Sequence, residues 1–175
     1  TWRDAGTTLV DVLDVARLAD ELGPDWVVVA RGHTRTHGFG SYAGVVDASR
    51  HPDVNDVILA ADVLVTDYSS IMFDASVARV PLVFLVPDLA AYRDTEQGFT
   101  FDFAETAPGP LVTERSEVVR LARALAADGE RAQWVRESAP RAARWREKFN
   151  PHDDGHAAAR VVSELERRGI LPKLP

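Results

Sequence analysis

The chain has 175 residues, 46% of them hydrophobic and 27% charged, with a net charge of −7; this is the profile of one folded globular domain and excludes a wholly disordered chain. It contains no cysteine, which excludes a disulfide scaffold, thiolate zinc, an iron–sulfur centre and a cysteine nucleophile. Residues 1–110 hold 7 Arg against 17 Asp plus Glu, and residues 111–175 hold 13 Lys plus Arg against 10 acids, so the acidic front of the chain lacks the basic surface that nucleic-acid phosphates require. No apolar run is long enough to span a bilayer, and no charged-then-apolar signal segment opens the chain. The first residue is Thr1 and the single methionine is Met72, so the expectation is a piece of a larger protein.

In chain order, Leu9, Leu13 and Ala16 share one stripe with Val12, Val15, Ala19 and Leu22 beside it. That spacing predicts an amphipathic helix over 7–22, stopped by Gly23-Pro24. Residues 26–30 read as a short buried strand, followed by a glycine-rich loop over 31–44 and a brief strand at 45–46. Asp53 is placed to cap a helix over 54–60. Strands at 63–65 and 82–86 flank a helix over 69–78. Strands that are apolar throughout and alternate with helices predict an α/β fold, a Rossmann-like parallel sheet with helices on both faces. Residues 87–110 read as a long loop, and a helical tail follows over 114–127, 130–148 with a break at Pro140, and 155–168. Asp128-Gly129 and Gly169 are stops for the first and last of these.

The stretch Asp62-Val63-Leu64-Val65-Thr66-Asp67-Tyr68-Ser69-Ser70-Ile71-Met72-Phe73-Asp74 takes a strand directly into a helix. Helix starts carry unpaired N–H groups and a partial positive charge, which suits anions, and in an open parallel sheet this junction lies where ligands bind. The hydroxyls of Ser69 and Ser70 can donate to phosphate oxygens there. Asp74, one turn after Ser70, is within reach of a ribose hydroxyl of the same ligand. The plainer alternative is a helix cap at Ser69 and a solvated acid at Asp74.

Thr66-Asp67-Tyr68-Ser69-Ser70 followed by Phe73-Asp74 resembles the TDYSS…FD signature of the CDP-glycerol glycerophosphotransferases, the teichoic-acid polymerases and primases. Other ordered segments resemble the same family: Thr1-Trp2-Arg3-Asp4, Asp53-Val54-Asn55-Asp56, Pro81, Asp88…Tyr92-Arg93-Asp94, Gly98-Phe99…Phe101-Asp102, Pro108-Gly109-Pro110 and Asp154-Gly155. The resemblance implies a GT-B architecture of two Rossmann-like domains facing a cleft, with residues 1–175 as the C-terminal, donor-binding domain and the N-terminal acceptor domain absent. It implies transfer of glycerol phosphate, or a related polyol phosphate, from a CDP-activated donor to a hydroxyl of a polymeric or lipid-linked acceptor, releasing CMP. No metal or other cofactor is required in that scheme, and the setting is cytoplasmic, at the inner face of the membrane. In the family a strand ends just before the TWRD segment. The sheet is therefore expected to lack its first, central strand and to show a gap or a direct pairing between 26–30 and 63–65.

By the same resemblance, Arg3, Thr66, Asp67, Ser69, Ser70, Asp74, Arg93, Asp154 and Gly155 are substrate-binding candidates and His33 is the catalytic candidate, its ordinary pKa suiting proton transfer. Here Thr34 stands where the family has proline, and His37 leaves the register open between two histidines. His152-Asp153-Asp154-Gly155-His156 crowds possible metal ligands into one turn; a cap for the last helix is the expectation instead. Trp134 and Trp145, among Arg131, Arg136, Arg141, Arg144, Arg146 and Lys148, suit either an anionic membrane or polymer surface, or packing against the sheet or the absent partner domain, which is the expectation. Two alternatives stand beside the main one: the donor domain of a glycosyltransferase using a nucleotide sugar, and a non-catalytic module docking on membrane or polymer.

Overall fold

The computed structural model describes residues 9–32, 42–95 and 98–172. The amphipathic pattern of the first segment forms two helices, α1 (Leu9–Leu13) and α2 (Val15–Leu22). The expected single helix is broken at Asp14, which takes a left-handed φ of 51° and accepts the Arg17 N–H at its side chain. A short polar side chain that caps locally offers the backbone this alternative to continuous helix. Strands β1 (Val28–Ala30) and β2 (Val45–Asp47) follow, then α3 (Val54–Leu59), capped by Asp53 as expected through the Asn55 N–H at 2.8 Å.

Next come β3 (Leu64–Thr66), α4 (Ile71–Val77) and β4 (Leu82–Leu85). Residues 87–110, expected to be loop, contain α5 (Leu89–Thr95) and α6 (Phe103–Thr106), and β5 (Leu111–Val112) comes directly after. The tail is α7 (Arg115–Asp128), a 3-10 turn (Gly129–Arg131), α8 (Gln133–Phe149) and α9 (Ala157–Arg167). The expected break at Pro140 does not occur. Proline in a helix forfeits one hydrogen bond and crowds the carbonyl four residues back, but Pro140 and Arg136 are both exposed, and buried Trp134, Ser138 and Trp145 hold the helix in place.

All strand pairs are parallel, in two sheets ordered β1-β2 and β3-β4-β5. Strand β4 is buried along its whole length, and its alternating side chains divide the interior. Val83 and Leu85 face a core built with α1, α2, α7 and Trp134. Leu82, Phe84 and Val86 face a second core with Ile58, Met72, Ala75, Phe103 and Trp145. The two indoles of α8 thus enter opposite cores. Arg115 ties α2 to α7 through Glu21 at 3.2 Å and Asp14 at 3.8 Å, and its guanidinium holds the Glu21 carboxyl below the usual carboxylate range.

Among the described residues no ladder joins β1 to β3, so of the two expected outcomes the gap is the one observed. Ala30 of β1 nevertheless shares the first core with β4, and Val28 and Val65 pack against it. The expected cover on both faces holds for the three-stranded sheet only. Helix α2 lies on one face of β1-β2, and on the other Val27, Val29 and Val46 are exposed. The strand ladders use Val28 and Ala30 on the β2 side, and Leu64 on the β4 side, which turns the backbone groups of Val29 and Val65 toward the open edges.

Two outcomes follow from this architecture. A Cβ on Gly109 would lie 1.9 Å from the Leu82 carbonyl oxygen, so Gly109→Ala should destabilise the fold by about 3 kcal/mol or more in denaturant titration; an unchanged midpoint would mean that β4 and β5 are not so closely apposed. In hydrogen-exchange NMR, the Val29 and Val65 amides should exchange about 100-fold faster than those of Phe84 and Val86, which are bonded to Pro110 and Val112. Equal protection would mean that the edges are paired.

Candidate functional site

Chain order runs outward from the gap in both directions, β1 to β2 on one side and β3 to β4 to β5 on the other. Val28 and Ala30 of β1 and Val65 of β3 belong to one core, and the carboxyl ends of the strands in open α/β sheets are where ligands bind. After β1, the Arg31 guanidinium donates to the carbonyls of Ala48 and His51, each at 2.7 Å, and the Gly32 N–H donates to Ser49 Oγ at 3.2 Å. These bonds stitch the start of the β1 loop to the segment between β2 and α3. His33 follows immediately, and both it and Arg3 lie outside the described residues.

After β3, Thr66 is buried and Asp67 half-buried, whereas Ser69 and Ser70 are exposed. Asp67 Oδ1 accepts the Ser69 N–H at 3.0 Å, closing a short turn. Ser69 Oγ accepts the Ile71 N–H at a long 3.4 Å, so its own hydroxyl hydrogen is available to an external acceptor. Ser70 is the cap residue and makes no side-chain cap bond. The plainer alternative, a cap at Ser69, is thus partly realised, and it leaves both hydroxyls at the surface.

Tyr68, between these residues, turns inward. Its phenol is 8% exposed and donates to Asp88 Oδ1 at 2.8 Å. Its ring stacks on Tyr92 with centroids 3.9 Å apart and meets Phe99 and Phe103 edge-on. Neither the Tyr68–Asp88 bond nor the Arg31 anchor was assigned a role from sequence. The available signal was an acid just past the end of each of two consecutive strands, Asp67 after β3 and Asp88 after β4.

Asp74 is exposed on α4 and lines a cavity of about 440 Å³ with Asn55 and Leu59 of α3, and with Asp153, Gly155 and Ala157. The structure therefore brings together Asp74 and Gly155, which are far apart in sequence. Asp154 receives the His156 N–H at 2.9 Å and both carboxylate oxygens engage Arg160, at 2.7 and 2.8 Å. The helix that follows is capped at His156 rather than at Asp153 or Asp154, although Asp154 supplies the adjoining hydrogen bond. Arg93 is exposed and forms a bidentate pair with Asp94 at 2.6 and 2.9 Å, apart from the Ser69–Ser70 turn in sequence. This pair raises the guanidinium pKa and lowers that of the carboxyl.

The profile of the family described as CDP-Glycerol:Poly(glycerophosphate) glycerophosphotransferase matches residues 1–167. The teichoic acid poly(glycerol phosphate) polymerase of Bacillus subtilis (strain 168) is 38% identical over 129 residues, which cover 68% of this chain and 17% of the relative. The teichoic acid glycerol-phosphate transferase of Staphylococcus aureus (strain NCTC 8325 / PS 47) is 33% identical across 94% of this chain and 43% of its own length. Among solved structures, the wall teichoic acid polymerase TagF superposes with a TM-score of 0.73 at 27% identity, over 91% of this chain and 38% of that one. A variant of it soaked with CDPG gives a TM-score of 0.77 at 26% identity, over 96% and 42%. The chain thus spans less than half the length of each of these relatives.

The Arg160 guanidinium, and after it the His156 N–H, hold the Asp154 carboxyl below the ordinary carboxylate range. A depressed carboxyl favours the folded arrangement above its unfolded value, near pH 4, and that contribution is lost as pH falls through the lowered value. In an NMR titration the His156 and Arg160 signals should therefore move together below about pH 4, and Asp154→Asn should abolish the transition. Persistence of the transition in the variant would assign it to another group.

Proposed function

The chain belongs to the CDP-glycerol:poly(glycerophosphate) glycerophosphotransferase family, and we propose that it forms the C-terminal, donor-binding domain of a GT-B transferase that moves glycerol phosphate, or a related polyol phosphate, from a CDP-activated donor onto a teichoic-acid-like acceptor. The observation that carries this is the exposed Ser69–Ser70 pair at the carboxyl end of β3 in a parallel sheet, within the signature stretch 66–74. In this reading the donor pyrophosphate lies against the two hydroxyls. Thr66 and Asp67 shape the turn beneath it, and Asp74, with Gly155 across the same cavity and Asp154 next to Gly155 in the chain, faces the nucleoside end. The resemblance assigns Arg3 to the donor as well, and Arg93 would join it by exchanging Asp94 for a phosphate.

In the transfer, an acceptor hydroxyl oxygen attacks the phosphorus that bears the polyol. The new phosphorus–oxygen bond forms as the bond to the bridging oxygen of the diphosphate breaks, and CMP departs with that electron pair. The hydroxyl proton passes to a base, the role given to His33. Charge developing on the leaving phosphate is met by fixed donors, with no cofactor assigned. The acceptor, a lipid-linked or polymeric anion, is held with the help of a further domain outside this chain, in the cytoplasm at the membrane face. Among the described residues no helix is long and apolar enough to cross a membrane. Both Trp134 and Trp145 are buried, which removes the aromatic anchors that the membrane-docking alternative calls for.

A nucleotide panel read by thermal shift tests the proposal. At about 100 times the dissociation constant, CDP-glycerol should contribute about 2.7 kcal/mol, a rise in Tm of roughly 5–10 °C, with a smaller rise for CMP and none for UDP-sugars. Ser69→Ala combined with Ser70→Ala should remove most of the rise. A preference for UDP- or GDP-sugars would select the nucleotide-sugar alternative, and undiminished protection of the double variant would move the donor away from this turn.

A further inference from the structure

We propose that Tyr68 is a positioning residue for the donor: its hydroxyl, bonded to Asp88, fixes the Ser69–Ser70 turn against the neighbouring strand-end loop. This rests on the donor-site reading given above. Strands β3 and β4 are adjacent and parallel with Thr66 opposite Phe84, so the turns that follow them, 67–70 and 86–88, leave the sheet side by side. Tyr68 stands immediately before Ser69 and points the other way. Ser69 and Ser70 after it are at the surface, while its ring is enclosed by Tyr92 of α5, Phe99, and Phe103 of α6.

That enclosure asks only for an aromatic ring, and phenylalanine would fill it equally. The hydroxyl has a separate use, the 2.8 Å bond to Asp88 Oδ1. A hydrogen bond to an ionised acceptor is short and directional, and this one spans the two turns over a separation of 20 residues. The position of Asp88 is in turn defined by α5, whose Tyr92 N–H donates to the Asp88 carbonyl at 2.9 Å, and Gly98 closes back onto the Tyr92 carbonyl at 3.1 Å. The turn bearing the two serines is thereby referenced to α5 and α6 rather than left to its own short helix. The bond also engages a carboxylate next to the place where a diphosphate binds.

Tyr68→Phe keeps the ring and removes the bond. Titration calorimetry should give about a tenfold loss of CDP-glycerol affinity with Tm shifted by no more than a few degrees. Asp88→Ala should cause a similar loss, and the two losses should not add. Asp88→Asn, whose amide oxygen still accepts from the phenol, should retain affinity close to the parent. The ratio of CDP-glycerol to cytidine affinity should fall in Tyr68→Phe, a change that general loosening would not produce, because cytidine has no phosphate to place on the turn. If Tyr68→Phe binds CDP-glycerol as the parent does while the double serine variant does not, the positioning role is overturned and the donor site stands. If the parent protein does not bind CDP-glycerol, the proposal falls together with the reading on which it rests.

Discussion

Strand β4 is the constraint on which the rest of the molecule depends. Its four residues are buried on both faces, and each of the two cores takes alternate side chains from it: Val83 and Leu85 one way, Leu82 and Phe84 the other. A strand with no solvent face cannot slip by one residue without exchanging the contents of both cores. Its register against β3 and β5 therefore fixes the depth at which the turns after all three strands emerge. Gly109 belongs to the same constraint. No side chain fits between its Cα and the Leu82 carbonyl, so the approach of β5 to β4 requires glycine at that point.

The open side of the sheet is where this rigidity ends. Strands β1 and β2 are held by α2 on one face, and α2 is held to α7 by the Arg115 clip and by the Arg123 guanidinium, which donates to the Glu21 carbonyl. Exposed Val27, Val29 and Val46 show how much apolar surface the other face leaves in water. The proposed donor site thus has one firm wall, the β3–β4 side with its Tyr68–Asp88 bond, and one wall that depends on a single helix and on the bonds from Arg31. The proposed donor contacts lie on the firm wall, where small displacements are resisted.

Much of this was legible in the sequence, for identifiable reasons. Continuous apolar runs marked β1, β3 and β4 to within two residues at each end, and Asp53 announced α3 because its carboxylate has an N–H to receive. The turn at 66–70 was legible because short polar residues at a strand–helix junction have few other uses. The failures have equally specific causes. Helices α5 and α6 escaped because aromatics supply much of their burial from several directions at once, Tyr92 and Phe103 meeting across Phe99, which leaves no one-sided stripe. Strand β5 has two residues, too few for any period. Asp14 and Pro140 were misjudged in opposite senses. The first interrupts a helix that its neighbours favour, because its side chain caps the next one. The second is carried by a helix whose buried side lies elsewhere.

The arginines sharpen the functional argument most. Guanidinium groups suit planar phosphate recognition, but the arginine excess over lysine is first a matter of composition, and several of these groups are committed to the protein itself. Arg31 holds the carbonyls of Ala48 and His51, Arg115 the carboxylates of α2 and its cap, Arg160 holds Asp154, and Arg93 pairs with Asp94. A bidentate arginine already satisfied by a carboxylate exchanges one anion for another when it takes a phosphate, and the net gain is correspondingly small. Arg93 can therefore join the donor only by leaving Asp94. Uncharged donors that are already exposed, the hydroxyls of Ser69 and Ser70, carry no such competing interaction with a carboxylate. On the proposed reading, the turn that positions them therefore matters more to the chemistry than the count of positive charges around it.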